Sequence, residues 1–132
     1  MNPWPFNLLL RLWALGALCS AAAHLIAPAW TAAGTTWALS PHWQQEIAYF
    51  DLFAAALFAW VARQPSLALK WRTTVLLCGL SLLLGLNHLS GWLHEARVFH
   101  VMFSLANFMT VAWGMAALGL AWRRQALLPT QE

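Results

Sequence analysis

A chain of 132 residues with 61% apolar side chains and only 8% charged ones is excluded from the ordinary soluble class, in which roughly a quarter of residues are charged. Four apolar stretches of about 20 residues would use most of the length and leave no room for a sizeable extramembrane domain. The net charge of +3 comes from cations at the ends of apolar runs, not from a basic patch, so nucleic acid is not an expected partner.

The first span is expected over residues 8–28, ending where Pro28 cannot continue the helical ladder. Arg11 ahead of an apolar run into Ala21, Ala22 and Ala23 has the outline of a signal peptide. Cleavage there would release no soluble domain, and Leu18 before Cys19 is a poor lipoprotein site, so the segment is read as a span. Cys19 and Cys78 both lie in apolar runs, where a thiol packs as a small hydrophobe.

The longest loop follows at 29–40. Its Trp30 and Trp37 suit the headgroup level, with room for a short interfacial helix. Ser40 and Pro41 form an N-cap and first-turn pair that opens a second span over 41–62. Arg63, Gln64, Pro65 and Ser66 break it, and Lys70, Trp71 and Arg72 introduce a third over 71–89. A turn at Ser90, Gly91 and Trp92 leads to a fourth over 96–122, closed by Arg123 and Arg124 before a polar tail. The expected fold is all-α, a single transmembrane domain forming a four-helix bundle. The cations Arg11, Arg63, Lys70, Arg72, Arg123 and Arg124 fall on one side and only Arg97 on the other, which puts both termini in the cytoplasm.

This threading confines ionisable chemistry to the non-cytoplasmic half, which receives all five histidines together with Glu46, Asp51 and Glu95. With a rise of about 1.5 Å per residue, Asp51 lies about 5 Å outside the midplane, and His88 and Glu46 roughly 10 Å. A carboxylate near the bilayer centre costs about 2.5 to 3.5 kcal/mol on insertion scales, so Asp51 is expected to face the interior. Residues three, four and seven apart share a helix face. The expected inward stripes are Gly16, Ser20 and His24, then Ala48, Asp51, Ala55 and Ala59, then Ser81, Leu84 and His88, then His100, Ser104, Asn107 and Gly114. They converge on a polar core of His24, Asp51, His88, His100 and Asn107. Glu46 is rotated about 140° from Asp51 and fits that face less well.

His42 and His94 read as headgroup-level surface residues, Glu95 and Arg97 as a solvated turn, and Asn87 as a cap of the third span. For the core residues, interhelical hydrogen bonding that only fixes packing competes with a binding site. The leading expectation is a site open to the non-cytoplasmic side that binds a metal ion or small ligand through His24, Glu46, Asp51, His88, His100 and Asn107, with an accessory subunit as the alternative and a carrier third. Imidazoles and a carboxylate are good transition-metal ligands, with His24, Glu46 and His88 as the candidate set. His24 with His88 or His100 would serve a b-type haem if the two imidazoles faced each other across a gap. A proton-coupled carrier, acting as an oligomer, would use Asp51 and His88. An accessory subunit would need only packing, with Trp13 and Trp113 offered to a membrane-protein partner. No catalytic motif with a recognised spacing occurs.

The stretch from His24-Leu-Ile-Ala-Pro28 through Ser40-Pro41-His42-Trp43-Gln44-Gln45-Glu46-Ile47-Ala48-Tyr49-Phe50-Asp51, with Asn87-His88, resembles an uncharacterised family of small bacterial four-span membrane proteins. The resemblance covers roughly residues 20–90. It implies a multi-pass protein of the bacterial inner membrane, with His24, Glu46 and His88 as its polar site. Asp51 stands where that family usually has asparagine, and Asn87 where it has glycine.

Overall fold

A computed structural model describes residues 3–126. The polar tail beyond 126 and the Arg124 side chain, counted above among the cations, lie outside the described residues. The chain folds as α1 (Trp4–Ile26), α2 (Pro28–Ala33), α3 (Pro41–Arg63), α4 (Leu67–His94) and α5 (Val98–Ala126). All but α2 are long and apolar enough to cross a membrane.

Prolines punctuate the first half. Pro28 lacks the N–H that would extend α1, and Ala27 before it takes a non-helical φ of −134° and ψ of 53°. The chain bends there and restarts as the short α2. Ser40 is extended and Pro41 occupies the first turn of α3, as expected, although the Ser40 side chain makes no capping hydrogen bond. The capping serine is Ser66, whose Oγ accepts the Leu69 N–H at 3.2 Å and starts α4 several residues before the predicted span.

The third span also ends later than predicted. Ser90, Gly91 and Trp92 stay helical, α4 runs to His94, and the turn is Glu95–Arg97. Gly91 continues the helix because it is needed there for space, since a Cβ would meet the His100 ring at 2.7 Å. Asn87, expected as a cap, is therefore an exposed mid-helix residue.

The four long helices pack as two close antiparallel pairs. In the α1/α3 pair Trp13 meets Phe58 edge-on at 4.9 Å, while His24 meets Gln44 near the other end. Buried Ala14, Ala17, Ala21, Ala48 and Ala55 keep these helices close, as small residues do in membrane bundles. In the α4/α5 pair Gly85, Gly91 and Gly114 face Phe108, His100 and Cys78. The pairs join at the basic end, where Leu9, Leu10, Phe58, Val61 and Leu77 form one cluster and Phe6, Ala117 and Ala121 another. Trp13 is thus packed on Phe58, and the Trp113 indole donates to the Pro5 carbonyl at 3.2 Å. These two indoles, offered to a partner under the accessory-subunit reading, each make a contact inside the chain, and Trp113 remains exposed.

At the opposite, histidine-rich end, α2 and its following loop bridge the pairs. The Phe99 N–H donates to the Gly34 carbonyl at 3.1 Å, and Trp30 lies edge-on to Phe99 at 4.4 Å. Outward faces carry large apolar side chains such as Leu15, Phe53, Leu76, Leu83 and Met109, each more than half exposed. Surfaces of this kind are suited to lipid.

Candidate functional site

His88 near the end of α4 and His100 near the start of α5 meet across the Glu95–Arg97 turn. Their Nδ1 atoms are 3.1 Å apart, and both residues are buried. One turn further along α5, the Ser104 hydroxyl donates to the Gly85 carbonyl at 3.1 Å and locks the two helices together below the pair. Trp37, from the loop after α2, lies over both imidazoles with ring centres 5.4 and 5.8 Å away. Phe103 closes the side of His88 at 5.1 Å.

The hydrogen-bond pattern fixes the protons. The Thr36 backbone N–H donates to His100 Nε2 at 3.0 Å, and the Thr36 hydroxyl lies at 3.0 Å from the same nitrogen. His100 therefore carries its proton on Nδ1 and donates it to His88 Nδ1, which leaves the His88 proton on Nε2. Each imidazole is neutral in this arrangement. A second proton on His100 would have to enter at Nε2, where it would face the Thr36 N–H. A proton on His100 Nε2 is thus incompatible with the Thr36 N–H bond, whereas the Thr36 hydroxyl can turn to accept it.

A second polar group lies in the α1/α3 pair. Gln44, buried on α3, offers its Oε1 to the His24 Nδ1 and to the Thr31 hydroxyl, the latter at 2.8 Å. The Thr31 hydroxyl also lies 2.8 Å from the Pro28 carbonyl, its intrahelical partner in α2. One turn or two deeper, Asp51 is half-buried beside Ser20 and near His24. Its Oδ2 is buried with no hydrogen-bond partner among the described residues.

The predicted convergence therefore divides in two. His88 joins His100, while His24 and Asp51 stay with the other helix pair. Ala48, Ala55, Ser81, His88, His100, Ser104 and Gly114 face inward as expected. Gly16 does not, since its α-carbon faces open space. Small size alone does not orient a residue. Asn107 is half-buried and its amide donates to the Phe103 carbonyl of its own helix at 2.8 Å, so it belongs to neither polar group.

Glu46 is half exposed and pairs with exposed His42 one turn earlier, Nε2 to Oε1 at 3.1 Å. This is a helix-surface pair of modest worth. The set His24, Glu46 and His88 is not assembled. Among the described residues, no three His, Cys, Asp or Glu side chains gather as a metal site requires. Nor do His88 and His100 leave a gap for a haem plane, because they hydrogen-bond each other directly, and His24 is engaged by Gln44. Glu95 and Arg97 form the ion pair of an exposed turn, from which Arg97 also reaches the Ala33 carbonyl at 3.4 Å.

Gln44, Thr31, Thr36 and Trp37 are site residues that the sequence reading missed. Gln44 was within reach, because it stands four residues before Ala48 on the same stripe. The loop residues offered no periodicity to follow.

The four long apolar helices put the chain in the class of multi-pass helical membrane proteins, distinguished by a buried histidine pair under a loop tryptophan. No protein family, no characterised protein and no solved structure matches it.

Proposed function

We propose that this chain is a proton-responsive membrane protein in which the His88–His100 pair takes up a proton from the non-cytoplasmic side and releases the loop that covers it. The reading rests on one observation, the Thr36 N–H directed at His100 Nε2 with the His100 Nδ1 proton already committed to His88. It takes both termini as cytoplasmic. That orientation is supported by Arg11, Arg63, Lys70, Arg72 and Arg123 at one end against Arg97 at the other. The proton is the small ligand this pair can bind without a third ligating group.

Amide exchange at Thr36, corrected for its intrinsic rate, tests the proposal in bilayer discs. Slow exchange at about pH 8 is expected to give way to fast exchange at about pH 3, the first above and the second well below the ordinary histidine range. His100→Gln, which retains an acceptor and cannot titrate, is expected to remain slow throughout. Equal exchange of the wild-type chain at both pH values would sink the reading.

One observation favours a second reading, that of a proton-coupled carrier. Buried Lys70, Thr74, Ser81 and His88 share one face of α4 along its whole length. The Thr74 and Ser81 hydroxyls are buried with no partner among the described residues. Such a stripe supplies polar groups in the inner half that a carrier needs. Proton-dependent uptake by liposomes, lost in Ser81→Ala, tests it.

A further inference from the structure

Trp71, Val75 and Cys78 on α4 and Met115, Gly119 and Trp122 on α5 line an open groove of about 410 Å³. The spacing builds it: residues 71, 75 and 78 share one helix face, and 115, 119 and 122 another. Because the helices are antiparallel, both tryptophans stand at the basic end, and Cys78 and Met115 lie about 10 Å deeper. Gly119 keeps the groove open, since a Cβ built there has no neighbour within 4 Å. Neither indole N–H of Trp71 or Trp122 has a hydrogen-bond partner among the described residues, and both rings are exposed. They are placed as donors at headgroup level.

Charge points to the occupant. At this end Arg11, Arg63, Arg72 and Arg123 are exposed, Arg72 and Arg123 directly following the two groove tryptophans. The acidic side chains among the described residues are Glu46, Asp51 and Glu95, all in the other half, and among the described residues no salt bridge reaches these arginines. Cations so placed favour an external anion. The groove is lined almost wholly by apolar side chains, which suits an acyl chain below that anion. Its size falls in the range of small-molecule sites.

We propose that the α4/α5 groove binds one acyl chain of an anionic phospholipid, whose phosphate is held by Trp71, Trp122, Arg72 and Arg123. The site depends on the membrane reading of the chain and is independent of the histidine pair.

The test is native mass spectrometry of the full chain released from bilayers of phosphatidylcholine with phosphatidylglycerol. Recovery in washed bilayers establishes insertion separately. The wild type is expected to retain phosphatidylglycerol preferentially. A cation near an anionic surface is worth roughly a fivefold change in binding, so Arg72→Ala with Arg123→Ala should remove roughly 25-fold of that preference. Gly119→Leu should abolish retention by filling the groove. Gly16→Leu, at another helical glycine with open space around it, should leave retention unchanged, and both leucine variants should melt at or slightly above the wild type through helix propensity. Equal retention of the two lipids, or Gly119→Leu behaving as Gly16→Leu, would overturn the proposal. A two-chain species dispersed by Gly119→Leu would instead assign the groove to a second copy.

Discussion

His100 holds His88 through one ring nitrogen and the Thr36 amide through the other, at 3.1 and 3.0 Å. A single side chain on α5 therefore joins the end of α4 to the loop that follows α2. Hydrogen bonds in such a chain are coupled, because the first fixes the tautomer required by the second. A double-mutant cycle of Thr36→Pro, which removes the N–H, and His88→Leu should give a coupling energy of about 0.5 to 3 kcal/mol in thermal unfolding at about pH 8. Independent sites would give additive effects. On acidification to about pH 3 the coupling is expected to disappear, because the neutral arrangement that carries it is present above the titration of the pair and is lost below it.

Gly91 is the second determinant of the histidine pair. A methyl group there would lie 2.7 to 2.9 Å from three atoms of the buried His100 ring. The ring is held on both edges and cannot swing aside without breaking a hydrogen bond. Gly91→Ala is expected to destabilise the protein by about 1 to 3 kcal/mol, the range for overpacking, and to speed exchange at Thr36. Gly79→Ala on the same helix meets nothing within 4 Å and should stabilise by roughly 0.5 to 1 kcal/mol through helix propensity. Thermal melting of the two variants side by side checks the sign of each.

The four long helices were legible because the signals that fix them are local. Pro28, Pro41 and the Arg63–Ser66 break act on the backbone wherever they occur, and apolar length alone marks the spans. Gly91 misled for the opposite reason. Next to Ser90 it reads as a turn, and only contact with His100, nine residues later, explains a helical glycine. Helix faces were legible where polar and small residues alternate with bulk, as at Ser81 and His88, and illegible at Gly16, which carries no sign of what it faces. The pairing of helices was not legible at all. Four stripes of similar content can converge on one centre or on two, and the choice belongs to packing between Ala-rich α1 and α3 on one side and α4 and α5 on the other. That choice separated His24 and Asp51 from His88.

Gln44 ties α1, α2 and α3 together through His24 and Thr31. Interhelical hydrogen bonds in membrane proteins average about 0.6 kcal/mol and reach about 1.7. Gln44→Met keeps the volume and removes the acceptor, so a loss of about 1 to 2 kcal/mol is expected if both partners are left without it. The readout that distinguishes this network from the histidine pair is exchange at Thr36. It should remain slow at about pH 8 in Gln44→Met, because the Thr36 amide is held from α5 and not from α3.

Asp51 is the deepest carboxyl on the long helices among the described residues, and the structure gives it less than the sequence promised. Ser20 lies beside it and His24 is near, yet Oδ2 is buried with no hydrogen-bond partner among the described residues. An aspartate at a helix centre costs about 2.5 to 3.5 kcal/mol on insertion scales, and asparagine has the same shape without the charge. Asp51→Asn is therefore expected to raise thermal stability by about 1 kcal/mol or more while leaving exchange at Thr36 and its pH dependence unchanged. A fall in stability would mean that the carboxylate is paired in the membrane. A lost pH response would mean that Asp51 and the histidine pair form one site after all, and the separation of the two helix pairs would have to be redrawn.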